Sequence, residues 1–559
     1  MHDIPGELWL EILAYLPAEY LWKMIGVSRF LFETAMNQRF NEVTFYADDK
    51  AMTERFQQLN KGHTHRVLSL IISPSFLPKM QEIKAPPILA STPIFSSKST
   101  SIFSRFKRSK AQHNPRLYLL PRCRIMPRFL PLRYEGNFTK HSSQSITEET
   151  PHMKQYARDL FHPLQDALKS CSNLSELEVR IHDVEVITPL IDLMHSVWFS
   201  ISSNSQKLVV DVTLDKLSLM PSASNGQGGL FSNLRTLDIT LAPSRYKMTV
   251  QRCIKAQEVL SALLDYSRNT LQSLSLSTPA LMDFILIFDR AGHLPELREF
   301  KLYMTLNESS LSDSTSLTRF IQANRDNLEH LTIQPRPRCQ IVGAIDPTLM
   351  FWLQSEFTGL SMPKMRSLKI STHSYWSQLS NKPKPSLDLP NFRLVGTHIT
   401  TLVLSDIFLS FDALSRLVEY FATAHDNRLE NLTFNSLCLS PQHIHLLAQH
   451  LSELQSLTMM FKSIAICEDR PYNSAVDVLY TFLHTMEGYR FPYWKLRRLE
   501  VYSDPGCGRG HPSNDVMYSL RECVPSIEHI DTGTYCYCNR GKNVNGSNQS
   551  NSVPARTAW

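Results

Sequence analysis

No run of about 18 apolar residues occurs in this sequence, so no membrane-spanning helix is expected. The longest apolar stretch, Leu281 to Phe288, is far too short. Met1 to Leu10 carries neither a basic start nor an extended apolar segment, so no secretory leader is expected. A disulfide framework is also missing. The ten cysteines are scattered over 559 residues without a regular spacing. They are read as reduced thiols of a cytoplasmic and/or nuclear protein. The sequons at Asn137 and Asn431 are then chance matches.

Signatures of catalysis are equally scarce. Gly506-Cys507-Gly508-Arg509-Gly510 is a lone glycine cluster, not a dinucleotide fingerprint, which must open a helix after a strand. Cys507, His511, Cys523, Cys536 and Cys538 do not fall into the closely spaced pairs that hold zinc. His443 and His445 sit two apart on a predicted helix and so face different directions. No catalytic residue, cofactor or metal ligand is assigned, and the chain is expected not to be an enzyme. An enzyme assembled from distant loops stays a minor alternative.

What is present is ordinary globular composition, with 42% apolar and 20% charged residues and a net charge of +6. A single closed core rarely grows to this length. The choice is between several domains and an elongated repeat array. The charge is uneven. Between Lys98 and Lys140 there are eleven Lys/Arg and one acid, Glu135. Residues 74–150, rich in proline, serine and basic side chains, are expected to form a disordered insertion. Residues 539–559, Asn/Ser-rich, are expected to form a disordered tail. No glycine-rich or aromatic pattern in the insertion supports nucleic-acid binding.

The first 46 residues read as three short helices. Asp3 caps the first, Pro5 suits its first turn, and Leu8, Ile12, Leu13 and Leu16 form its apolar stripe before Pro17. A second spans about Glu19 to Ile25, and a third about Ser28 to Arg39. Three such helices make a core too small to be comfortable alone. Their large apolar side chains invite a partner groove. The stretch Ile4-Pro5-Gly6-Glu7-Leu8, then Ile12-Leu13-Ala14-Tyr15-Leu16-Pro17, Leu21 and Val27-Ser28-Arg29-Phe30 resembles an F-box. It departs from the family pattern at Ile4 for Leu and Ser28 for Cys, and has Gly26 before the valine. The resemblance covers about 40 residues. It implies that Pro5, Leu8, Ile12, Leu13, Leu16 and Val27 meet a Skp-type adaptor joined to a cullin scaffold. The alternative is a plain three-helix cap for the remainder of the chain.

Beyond this unit a motif recurs: apolar, two variable, apolar, one variable, apolar. It occurs at Phe40-Val43-Phe45, Val67-Leu70-Ile72, Leu174-Leu177-Val179, Leu234-Leu237-Ile239 and so on to Ile527-Ile530-Thr532, with a degenerate copy near Leu208 to Leu214. From Leu234 successive starts lie 25 to 42 residues apart. The alternation within each copy is a strand with one buried face. Helical patterns such as Val250–Tyr266, Phe411–Ala424 and Gln442–Leu454 lie between copies. One strand and one helix cannot bury their own faces, so neighbours must stack.

This resembles the leucine-rich-repeat family. The fold class is therefore α/β: an N-terminal three-helix F-box followed by an irregular right-handed α/β solenoid, a leucine-rich-repeat-like horseshoe. Residues 47–73 form a first repeat-like unit and 151–538 the main array. The family's Asn or Cys after the third apolar letter is absent, since Ile407, Leu437, Lys462 and Asp504 stand there. An ordinary doubly wound α/β domain is the competing architecture. The third and fifth positions of each copy point to the concave face. Thr401, Asn431, Thr433, Ser456 and Thr458 are the candidate substrate contacts on it. The two resemblances together imply the substrate-recognition adaptor of a Skp-cullin-F-box ubiquitin ligase, with an unknown protein substrate. The alternative is a non-ligase scaffold whose F-box-like helices cap the repeats.

Overall fold

The computed structural model describes residues 29–45, 64–73, 173–182, 188–201, 205–220, 231–242, 249–278, 282–304, 310–334, 360–371, 398–423, 428–465, 475–503 and 514–534, with scattered single positions elsewhere. Pro5 and Leu8, the basic insertion 74–150 and the tail 539–559 lie outside the described residues.

Among the described residues fourteen strands form one sheet, ordered β1 to β14 in sequence with every neighbouring pair parallel. They are β1 (Glu42–Phe45), β2 (Ser69–Ile72), β3 (Glu176–Ile181), β4 (Lys207–Thr213), β5 (Thr236–Ala242), β6 (Ser273–Ser277) and β7 (Glu299–Tyr303). The second half holds β8 (His330–Gln334), β9 (Ser367–Ser371), β10 (Thr401–Leu409), β11 (Asn431–Leu439), β12 (Ser456–Ile464), β13 (Arg498–Ser503) and β14 (His529–Thr534). A doubly wound sheet reverses its strand order at a switch point. This one never reverses, so that alternative falls, and the order is that of a solenoid-like stack. The degenerate copy near Leu208 is a full strand, β4.

Register follows the motif. The middle apolar letter of each copy pairs with the middle letter of the next: Leu237 with Leu274, Leu274 with Phe300, Leu402 with Leu432, Leu432 with Leu457, Leu457 with Leu499. The backbone before each strand holds this alignment. Arg366 O accepts from both Thr400 N (2.9 Å) and Thr401 N (3.0 Å), and Thr400 O accepts from Glu430 N and Asn431 N (2.9 Å each). Each repeat therefore hangs from the one before it.

The helices include α1 (Arg29–Phe40), α2 (Thr188–Ile201), α3 (Val250–Ser267), α4 (Ile285–Ala291), α5 (Ser314–Asn324), α6 (Phe411–Thr423), α7 (Pro441–His450), α8 (Ala475–Glu487) and α9 (Asn514–Cys523). Their starts show why these segments coil. The hydroxyl of Thr249 accepts from Arg252 N ahead of α3, Asp313 from Thr315 N ahead of α5, and Ser440 from His443 N ahead of α7, where Pro441 occupies the first turn. On α6 Ala413, Leu414, Leu417, Val418 and Phe421 share the buried face. The helix expected to reach Leu454 stops earlier, at His450. The chain turns there so that Leu451 and Leu454 close the core under β12.

One continuous core runs between sheet and helices from Met36 to Ile527. Burying each leucine of the middle-letter row contributes about 1.5–3 kcal/mol. Phe288, Phe300 and Phe320, from α4, β7 and α5, meet with ring centroids 5.0–6.2 Å apart. The indole N–H groups of Trp198, Trp352 and Trp494 donate to Leu219 O, Thr318 Oγ1 and Leu451 O. The tryptophans thus fill space without stranding a donor.

Strands β10, β11 and β12 run for nine residues each. Pairing of β10 with β11 shifts between Leu404 and Phe408, and β11 buries Asn435, Ser436, Cys438 and Leu439 past the motif. Past the motif, these strands stay extended, with a bulge between β10 and β11.

Candidate functional site

Two surfaces carry the residues singled out in the sequence. The first is the N-terminal helical unit. Leu13, Leu31 and Ala35 form a small core of their own, with Leu16 and Met24 partly buried against it. On the far turns of α1, Met36 and Phe40 belong instead to the main core. Arg66, before β2, ties the two together. Its guanidinium pairs with Glu33 and donates to Asn37, both on α1. The hydrogen bond from Arg66 holds the Glu33 carboxyl below its ordinary range.

Around this small core, apolar side chains remain in solvent. Ile12 is 45% exposed, Val27 72% and Tyr15 83%, and Tyr20, Phe30 and Phe32 are exposed as well. Of the expected adaptor contacts, Leu13 is buried, Leu16 half-buried, and Ile12 and Val27 open to solvent. Leu13 thus supports the unit from within, and Ile12 and Val27 are its outward groups.

The second surface is the face of the sheet turned away from the helices. Thr401, Asn431 and Ser456 stand opposite one another on β10, β11 and β12, as do Thr433 and Thr458. All five are half-buried, while Leu402, Leu432 and Leu457 between them are fully buried. The alternation read from the sequence therefore has the right phase. Asn431 Nδ2 donates to Thr401 Oγ1 at 3.3 Å, and Thr458 Oγ1 donates to Glu500 Oε2 at 3.1 Å. Ser275 and Thr332 share this face by register but are buried among larger neighbours.

Charge divides the face into three zones. Over β3 to β7 the carboxylates Glu176, Glu178, Asp211, Asp238 and Glu299 are interleaved with cations. Lys207 pairs with Glu176 at 3.2 Å, Lys301 with Glu299 at 2.7 Å, and Arg180 with Glu178. Burial pushes the Asp238 carboxyl up, against a hydrogen bond from Ser275 and the charge of Lys301. At Glu299 burial also pushes upward, but hydrogen bonds from Lys301 and Ser273 outweigh it, and the carboxyl lies below its ordinary value. The centre, over β10 to β12, is neutral hydroxyl and amide. At β13 charge returns: Glu500 pairs with Arg498 at 2.5 Å and accepts from the Tyr502 hydroxyl at 3.3 Å. Burial, then the charges of Glu500 and Asp531, raise the Tyr502 phenol.

Tyr303, Tyr502, Arg180 and Asp211 were not among the candidates, because the motif was read only to its last apolar letter. Continuing the alternation one residue past that letter finds all four. The neutral centre can bind by hydrogen bonding to backbone or polar side chains. Among the described residues there is no group of three metal-ligating side chains. His443 and His445 diverge as expected. His443 is buried between Ser436 and Ser440, and exposed His445 stacks on Tyr489 at 5.0 Å. Of the five Cys/His positions weighed for zinc, only Cys523 is described, and it is buried. No helix among the described residues is long and apolar enough to cross a membrane.

No protein-family model matches the chain, and no curated protein sequence matches it. Among solved structures, the crystal structure of the Rad7 and Elc1 complex in yeast is similar at a TM-score of 0.34 and 14% identity. The match covers 66% of this chain and 72% of that one. Superposition at that level is too loose to carry residues across.

Proposed function

We propose that this chain is the substrate-recognition adaptor of a Skp-cullin-F-box ubiquitin ligase. Its N-terminal helices dock on a Skp-type adaptor, and a right-handed leucine-rich-repeat-like horseshoe presents a protein substrate. The chain supplies no chemistry. It holds a substrate lysine near the charged ubiquitin carrier, and the rate comes from proximity.

The observation that carries this reading is the outward apolar surface on a unit with almost no core. Ile12 and Val27, two positions of the F-box-like pattern, face solvent, whereas Leu13 beside them is buried. A unit of this size gains stability by burying such side chains against a partner. Thr401, Asn431, Thr433, Ser456 and Thr458 are then the substrate contacts, chosen because they line the neutral, hydrogen-bonding centre of the open face.

A second reading has one observation in its favour. Met36 and Phe40 of α1 enter the main core, and Arg66 clasps α1, so the helices also close the end of the array. A scaffold outside any ligase would need no more than that. The two readings part in a co-purification. Leu8→Asp with Ile12→Asp places charges in an apolar interface and is expected to abolish recovery of the Skp-type adaptor and cullin. Wild-type recovery of both by the double variant would leave only the capping role.

A further inference from the structure

Besides the open face, the repeat geometry builds a row along one rim of the sheet. It consists of the residue just before the first apolar letter of each copy. From the copy of β8 to that of β13 it reads Asn327, Lys364, His398, Arg428, Glu453 and Lys495. At one end of the row the charges are paired, and at the other Lys364 gives one of its three donors to its neighbour. Lys364 Nζ donates to Asn327 Oδ1 at 2.9 Å, and Lys495 pairs with Glu453 at 2.8 Å. Lys364, His398 and Arg428 stand side by side on neighbouring repeats, one strand spacing of about 4.8 Å apart.

A cavity of about 510 Å³ opens at that place, lined by these three and by Arg366, Thr400 and Glu329. Glu329 is the single acid of the lining, and its carboxylate is already shared between Arg298 at 3.8 Å and Arg366 at 3.5 Å. Among the described residues, Arg428 and His398 make neither an ion pair nor a side-chain hydrogen bond. Like charges on adjacent strands repel, and a bound anion reverses the sign of that interaction. The lengths of the side chains add shape. The short imidazole stands between a long ammonium and a long guanidinium, which makes a notch with two cationic walls. A guanidinium fork and an ammonium lining the same cavity suit an oxyanion bearing more than one charge better than a single carboxylate.

We infer that this notch is a binding site for a phosphate monoester, with Lys364 and Arg428 as its walls, His398 as its floor and the Arg366 side adding positive potential. Thr400, which lines the notch, directly precedes Thr401 on the open face, so a phosphorylated side chain of a segment lying on that face is within its reach. A free phosphorylated small molecule has the same chemistry. The site does not depend on the adaptor role of the N-terminal helices.

The test uses the full chain at fixed ionic strength. A fluorescein-labelled Gly/Ser/Ala decapeptide with one phosphoserine is compared, by anisotropy, with its unphosphorylated and aspartate forms. Inorganic phosphate and free O-phosphoserine serve as competitors. The phosphopeptide is expected to bind at least about tenfold more tightly than either control, with phosphate competing. Lys364→Ala and Arg428→Gln are each expected to weaken it about tenfold while circular dichroism stays unchanged. Glu453→Ala, outside the notch, is expected to have no effect. Phosphoserine competing as well as the peptide assigns the site to small molecules, and a clear advantage for the peptide assigns it to a protein segment. Equal binding of all three peptides, or undiminished binding by folded Lys364→Ala/Arg428→Gln, overturns the assignment.

Discussion

The N-terminal helices and the repeat array draw on similar apolar side chains and use them in opposite ways. In the array the middle letter of each copy is buried under a helix and between its neighbours, as Leu402 and Leu432 are. The N-terminal unit buries Leu13, Leu31 and Ala35 and leaves Ile12, Tyr15, Val27 and Phe30 in water. The difference lies in connectivity. A repeat finds its missing half in the next repeat, whereas the small core of Leu13, Leu31 and Ala35 lies apart from the stack, joined to it through the last turns of α1. The array is stabilised from within, and the N-terminal unit leaves the apolar surface on which the proposed adaptor contact rests.

The strongest way to sharpen that contrast is to hollow the array. Leu402→Ala or Leu432→Ala is expected to cost about 2–5 kcal/mol and to loosen adjoining repeats, read as a lowered midpoint in urea. A loss confined to the mutated repeat would break the picture of one shared core. Next comes acid. Burial holds the His443 imidazole down to about 4, from an ordinary 6.5. The unfolded chain therefore takes up the proton first as pH falls. The stability tied to the neutral ring is complete above about pH 6.5 and is lost progressively toward pH 4. The total is on the order of 3 kcal/mol. Denaturation midpoints measured across that window should fall, and should fall less in His443→Gln. The smallest effect belongs to the open face. Thr433→Arg is expected to change stability by less than about 0.5 kcal/mol, because its side chain points away from the core. A loss as large as that of Leu432→Ala would reverse the assignment of faces.

Much of the array was legible in the residues, because a period-two alternation and a recurring spacing fix which side chains are buried. Thr401 and Leu402 fell on opposite faces as the motif requires, and even the degenerate copy near Leu208 forms a strand in register. Less was legible where a contact depends on residues of other repeats. The nine-residue strands β10 to β12 follow from a bulge and from polar groups buried beyond the motif, Asn435 and Ser436 among them. The setting of His443, between the strand residue Ser436 and the cap Ser440, has no sequence signature. The rim row of Lys364, His398 and Arg428 is visible only once successive copies are stacked. Each of these residues looks like an ordinary surface group in its own repeat.

The contrast between the two regions rests on whether the exposed apolar side chains of the N-terminal helices are an interface. The direct measurement is titration calorimetry of the purified full chain with a purified Skp-type adaptor, for wild type and for Leu8→Asp/Ile12→Asp, with urea unfolding of both run alongside. The account predicts tight binding by wild type, at least about a hundredfold weakening in the double variant, and an unfolding midpoint for the array that does not move. No binding by wild type, or equal binding by the double variant, would contradict it.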